Sequence, residues 1–339
     1  VSRVTEILRA LTDRNGPFEA LTGAQEGFTV RLRDAEVPAR IGLDGEGRIQ
    51  GLFFHPAVPV SGGIEDHVRA IAALPGCAAV LVASEGQVRA EHAADRPLAV
   101  GSAFKLAVLR AVAGACADGR LAWDRVVRLD PGWRSLPTGL LQDWPAGAPL
   151  TVATLANLMI AQSDNTATDA LIRLVGREAV ETLAPRNAPF PTTREAFLLK
   201  RADAADLRQV WASGDAAGRR ALLAGLADRP LPRADDLAPE ATLEVEWLFT
   251  ARELEALMRE THHLPALAIS PGAVPAGRWR RVAYKGGSET GVLNLTALVT
   301  ARSGIRHGVV ATWNDTRALD PERLLAPFRG ILRRLDDEA

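Results

Sequence analysis

The chain has 339 residues, 47% of them hydrophobic and 24% charged, which is enough apolar material for a sizeable core and enough length for more than one domain. Its 40 basic residues stand against 41 acidic ones, a formal charge of −1, and no Lys/Arg block interleaves with aromatics, which argues against a nucleic-acid partner. No apolar run is long enough to span a bilayer, and the opening "VSRVTEILRA" lacks the layout of a secretory signal. With Val at the first position, a trimmed periplasmic or secreted protein and a cytoplasmic one both remain open.

In chain order, "TEILRALT" carries a helical apolar pattern, and "GFTVRLRD", "ARIGLDGEG" and "RIQGLFF" alternate like strands joined by Gly-rich turns. "HPAVPVSGG", residues 55–63, has the Pro and Gly content of a linker. Residues 1–60 therefore read as a small N-terminal α+β domain and 61–339 as a second domain. In the latter, "IEDHVRAIAAL" is predicted as a helix and "CAAVLVASEGQVRAEHAA" as two strands about a Glu-Gly turn. From about residue 100 to about 260 the pattern is mostly helical. "RWRRVAYKGG", "GVLNLTALVTA" and "RHGVVATWN" then read as strands, and "LDPERLLAPFRGILRRL" as a closing helix with Asp320 as N-cap and Pro321 at its first position. The sum is an α+β fold: one antiparallel sheet with strands from both ends of the chain, and a helical insert.

Of the 40 basic residues only Lys105, Lys200 and Lys285 are Lys. Arg keeps its proton in proteins, whereas a desolvated Lys can release one, so a chain that uses Arg almost everywhere marks each Lys as a candidate for chemistry. Three short motifs hold two of them. In "GSAFK", Ser102 and Lys105 lie three apart where a helix is predicted to begin, so hydroxyl and amine share a face near free N–H groups and the positive end of the helix dipole. The alternative is a Ser N-cap beside an exposed Lys, yet with ten Ser and three Lys chance supplies roughly 0.1 such pairs in the chain. In "SDNTAT", Ser163, Asp164 and Asn165 are poor helix formers inside a helical stretch, either an exposed break that offers a hydroxyl and an amide or a plain loop between helices. In "YKGGSETGVL", Lys285 ends a strand, two glycines allow close backbone approach, and Ser288 shares a face with Gly286; the alternative is an ordinary hairpin turn.

S-x-x-K, S-D-N and K-x-G in this order resemble the set S-x-x-K, S-D-N and K-T-G of the class A β-lactamase and penicillin-binding-protein superfamily. The resemblance covers roughly residues 64–339. It implies a β-lactamase/transpeptidase-like α+β fold and a serine hydrolase that takes a small β-lactam, amide or ester through an acyl-enzyme, with neither metal nor cofactor. Ser102 would be the nucleophile and Lys105 its basic neighbour. Ser163 would relay a proton to the leaving nitrogen, Asn165 would hold the substrate amide, and Lys285 would support Ser163 and attract a substrate carboxylate. The backbone N–H groups of Ser102 and Ser288 would form the oxyanion hole, and Gly287 would belong to the substrate-binding set.

Two positions depart from the family pattern. Gly286 replaces the Thr of K-T-G, and strand alternation makes Ser288 the expected substitute for its hydroxyl. The omega-loop pattern E-x-x-L-N is best matched by "EAFLL", with Glu195 as the expected base but Leu199 in place of Asn, which predicts slow deacylation. The "KGGSE" variant and the N-terminal unit make the layout similar to the β-lactamase-like serine hydrolases of clavulanic acid biosynthesis clusters, whose leading unit is similar to a steroid-isomerase or cystatin-like domain; here a truncated version is expected. Among weaker signals, Cys77 and Cys116 read as ordinary buried thiols, His262 and His263 have no third ligand at metal spacing, and Trp133 and Trp144 flank the cleft region.

Overall fold

The computed structural model describes residues 2–24, 27–136 and 138–338. They form two compact units, Val1–Leu74 with Asp320–Ala339, and Pro75–Leu319.

In the first unit the helix Ser2–Asn15 precedes an antiparallel meander of Phe18–Ala24, Gly27–Leu32, Ala35–Leu43 and Ile49–Phe54. Ala35, Val37 and Ala39 alternate onto the buried face, as period two requires, and Leu32, Ala57, Leu11 and Phe54 complete a small core. The first strand, "FEALTGA", has no such alternation and exposes Phe18 and Leu21, which is why the pattern did not announce it. The segment expected as a linker is tied down. Val58–Pro59 pairs with the start of Ala35–Leu43, and the closing helix Glu322–Asp337 binds the segment's carbonyls, Arg329 donating to Pro56 O and Arg334 to Val60 O and Gly62 O. That helix begins one residue later than expected: Pro321 is its N-cap position, and Asp320, one place further out, accepts the Glu322 N–H on Oδ1 at 3.3 Å.

The second unit is built on a five-stranded antiparallel sheet in the order Arg281–Glu289, Val292–Thr300, Arg306–Asn314, Cys77–Ser84, Gln87–His92. Strands from both ends of the chain thus meet in one sheet. "AAVLVA" is continuously apolar because its strand is internal and buried on both faces, whereas Gln87–His92 is an edge and buries only Ala90. The helical insert between them centres on Lys105–Ala117, which is buried nearly all round and so shows no amphipathic stripe. Beneath its first turn Phe104 stacks on Trp247 with ring centroids 3.8 Å apart, and Phe190 meets Phe104 edge-on at 5.7 Å. This aromatic platform fixes the turn that carries Ser102.

Candidate active site

Ser102 lies in a 3₁₀ turn, Gly101–Phe104, that runs directly into the helix Lys105–Ala117. The α-helix therefore begins at Lys105, two residues later than a helix that starts directly after Ser102. One turn on, Lys105 is fully buried with Nζ 3.2 Å from Ser102 Oγ and 3.1 Å from Ser163 Oγ. Nζ also donates to Ser163 O at 2.6 Å and to Asn165 Oδ1 at 2.7 Å. Those two oxygens can only accept. A neutral amine has two N–H groups to give them and one lone pair left for a hydroxyl proton. Burial, reinforced by the nearby charge of Lys285, holds the Lys105 pKa well below that of an ordinary lysine, which favours this neutral form.

Ser163 sits where the helix Val152–Ala161 stops and Asn165–Val175 begins, with φ +53°. A non-glycine residue in that region costs on the order of 1–2 kcal/mol, so its surroundings must hold it there. Lys105 grips its carbonyl, and the next residue braces the turn: Asp164 Oδ1 accepts the Ala167 N–H, and Oδ2 accepts those of Leu140 and Leu141 at 2.7 and 2.9 Å. Gly139 makes room for that carboxylate, since a Cβ there would lie 2.5 Å from Asp164 Cβ. The S-D-N break is thus a strained, fully bonded turn. Asn165 is turned inward: Oδ1 accepts from Lys105, while Nδ2 donates to Thr138 Oγ1 at 3.0 Å and Leu136 O at 3.4 Å.

The third element is the edge strand Arg281–Glu289. Lys285 is buried, and Nζ donates to Gly286 O at 2.7 Å and Ser163 Oγ at 3.2 Å, so the Ser163 hydroxyl bridges both lysines. Burial lowers the Lys285 pKa to about 7. Gly287 is required by close approach: a Cβ there would strike Val100 O and lie 2.5 Å from Ser102 N. Its absence lets the strand backbone reach the serine turn. Ser102, Ser163, Tyr284, Lys285, Gly286 and Ser288 border one cavity of about 350 Å³.

Residues 65–219 match the model of the Beta-lactamase enzyme family. The solved structures of a β-lactamase from Sphaerobacter thermophilus DSM 20745 (22% identity, 82% of this chain and 97% of that one, TM-score 0.57) and of PBP-A (17%, 81% and 95%, 0.54) superpose on it. So does a class A β-lactamase from Bacteroides cellulosilyticus DSM 14838 (15%, 82% and 100%, 0.55). This is a β-lactamase fold. A comparison with curated proteins gives no match. The resemblance drawn from the three ordered motifs therefore holds for family match and fold.

Within the β-lactamase fold other sequence candidates lie elsewhere. Glu195 borders a different cavity with Arg194 and Arg177, pairs with both oxygens to Arg177 at 2.8 and 3.0 Å, and closes a capping box with Thr192. The signal for that structural role was present in "TTRE", whose Thr192-x-x-Glu195 spacing is the capping-box pattern. Ser288 is exposed at the cavity rim. Lys200, left without a role by the sequence, is buried against Glu246, with Glu289 at 3.7 Å. Glu289 could have been anticipated: it follows Lys285 and Gly287 at alternate positions on one strand face. Asp169 is a further buried acid, its pKa pushed up to about 6 by burial; it ties Thr193 and Arg194 to the helix behind Ser163.

Cys77 and Cys116 are unpaired and half-buried, and the sulfur of Cys77 accepts from Arg96. Trp133 packs against the core while Trp144 is 39% exposed. No group of three or more His, Cys, Asp or Glu fit for a metal occurs among the described residues, and no described helix is long and apolar enough to cross a membrane.

Proposed function

We propose that this protein is a serine acyl-transfer hydrolase acting on a small β-lactam, amide or ester through Ser102. The observation that carries this reading is Lys105 Nζ, buried, desolvated and within 3.2 Å of both Ser102 Oγ and Ser163 Oγ. Ser102 Oγ attacks the substrate carbonyl carbon as its proton passes to the Lys105 lone pair, and the C=O electron pair moves to oxygen, opposite the N–H groups of Ser102 and Ser288. Collapse of the adduct breaks the bond to the leaving nitrogen or oxygen. That atom takes the Ser163 hydroxyl proton, which Lys105 replaces through the 3.1 Å contact. Water then attacks the ester with Lys105 again as base, giving the acid and free Ser102. Supporting this, PBP-A, similar in fold, has a structure described as an acyl-enzyme complex with penicillin G.

Incubation with benzylpenicillin, a cephalosporin and a p-nitrophenyl ester, followed by intact-mass spectrometry, tests it. Transient adducts on Ser102 with released product are expected; no adduct with any of the three would sink the reading. A persistent adduct with no turnover would favour a second reading, a slowly deacylating β-lactam-binding protein. The placement of Glu195 against Arg177 supports that alternative.

Two further outcomes follow. Glu195→Gln should leave the deacylation rate within about threefold, because its carboxylate serves the capping box and Arg177, while lowering stability by about 1 kcal/mol. A tenfold fall in deacylation alone would restore Glu195 as the base. For substrates bearing a carboxylate, kcat/KM should fall as pH rises through about 7, where Lys285 loses its charge. An uncharged ester should show a smaller fall, because it loses only the support Lys285 gives Ser163 and not an anion contact. Equal profiles for the two substrates would remove Lys285 from anion recognition.

A further inference from the structure

A second cavity, of about 360 Å³, opens where Arg173, Arg177, Arg194 and Arg220 converge. They come from four helices, Asn165–Val175, Arg177–Leu183, Thr193–Leu199 and Ala216–Ala224. In a chain whose basic residues are nearly all Arg the residue type says little, but the convergence on one cavity does. Two of the charges are answered: Arg177 by both oxygens of Glu195, at 2.8 and 3.0 Å, and Arg220 by Glu181 at 2.6 Å, with Glu178 adding to its field. The other two are not. Among the described residues the Arg194 guanidinium donates only to carbonyl oxygens, of Arg134 at 3.2 Å and Arg229 at 2.7 Å, which hold it in place without cancelling its charge. Arg173 is exposed and forms no hydrogen bond or ion pair among the described residues.

The rest of the lining is apolar. Leu198, Leu223 and Leu226 border the cavity, and all three belong to the small core around Trp211 and Val245. Like charges gathered on one concave wall repel one another, and an anion seated among them relieves that repulsion. The leucines offer the remainder of such a ligand a surface to bury, and the volume suits a small molecule. We infer that this cavity is a second ligand site, for a small amphiphilic anion: a carboxylate or phosphate head on Arg173 and Arg194, and a short apolar tail on Leu198, Leu223 and Leu226. Glu195, the one acid bordering the cavity among the described residues, is already spent on Arg177. The site shares no lining residue with the cavity of Ser102, so its occupancy does not depend on acyl transfer.

Calorimetry on the full chain with hexanoate, hexyl phosphate, hexanol and acetate tests it. Hexanoate or hexyl phosphate should bind at one site about tenfold or more tightly than hexanol or acetate, because hexanol lacks the head group and acetate the tail. Arg173→Gln, which breaks no bond within the described fold, should weaken the anion about three- to tenfold and leave hexanol unchanged, whereas Arg173→Lys keeps the charge and should recover most of the loss. Ala224→Glu puts a carboxylate on the facing helix, at an exposed position bordering the same cavity, and should weaken the anion at least as much. Losses from both positions place the anion here rather than beside Lys285. Binding of either head group sustains the inference, and the tighter of the two identifies it. No saturable binding of either anion, hexanol bound as tightly as the anions, or an affinity that Arg173→Gln and Ala224→Glu leave unchanged would each overturn it.

Discussion

Ser102→Ala forms no covalent adduct with benzylpenicillin or a p-nitrophenyl ester, and its hydrolysis of either falls by about 10⁴-fold or more. The size follows from the arrangement. Lys105, Ser163 and Lys285 form one proton-carrying unit around a single nucleophile, so removing the nucleophile removes the benefit of all three at once. The fold should survive, because Ser102 lies half-buried in a turn held by Phe104 and Trp247, and the mutation deletes one hydroxyl from a site rich in them. An unchanged thermal midpoint, with adduct formation lost, is the expected pair of results. An adduct of unchanged mass shift on the variant would place the nucleophile elsewhere, with Ser163 the first residue to examine.

Lys200→Met lowers stability by about 3–5 kcal/mol at pH 7. Lys200 is 5% exposed and Glu246 8% exposed, the two are in direct contact, and Glu289 lies 3.7 Å from the same ammonium. One cation thus serves two carboxylates, Glu246 buried and Glu289 half-buried, and Glu246 Oε2 has no partner of its own among the described residues. Without the cation Glu246 is left buried and unpaired, and Glu289 loses its partner in a half-buried position. Burial already raises the Glu289 pKa, with the charge of Glu246 adding to it against the pull of Lys200; losing Lys200 raises it further. A carboxylate whose folded-state pKa is raised destabilises the fold when ionised, so the penalty is full above that pKa and eases as pH falls through it. Urea denaturation of the variant should therefore show a smaller deficit at pH 5 than at pH 7. Lys200→Met combined with Glu246→Gln should recover part of the loss. A deficit below about 1 kcal/mol, or one independent of pH, would mean that water reaches the cluster.

Much of the site was legible because its parts are local. The 102–105 spacing is one helical turn, and the scarcity of Lys in an Arg-rich chain marked each Lys as a candidate for chemistry: all three are buried, Lys105 at 0%, Lys285 at 4% and Lys200 at 5% exposure, although Lys200 is held by Glu246 and Glu289. The cost of Ser-Asp-Asn inside a helical stretch correctly marked a break, and the structure repays it through Asp164 and Lys105. The sheet was legible in outline, since its internal strands are continuous apolar runs. Phe18–Ala24 was not, because an exposed strand carries no burial pattern to read.

Glu195 shows where local reading divides. The same residue satisfied two patterns, a family omega-loop motif and a capping box, and only the packing of Arg177 against it decides which bonds its carboxylate makes. Lys200 and Tyr284 are of the same kind. What the sequence alone determined about this protein is the chemistry available and the order of its carriers: hydroxyl and amine one turn apart, a polar break, then a cation before two glycines. The tertiary structure decided what each group faces. Lys285 meets Ser163 across 122 residues, Lys200 meets Glu246 across 46, and Tyr284 folds over Gly286 because Gly272, from a separate turn, leaves room for its ring. Side-chain direction along a strand or helix follows from local periodicity, whereas the partner waiting in that direction depends on elements distant in sequence, which only the packed fold brings within reach.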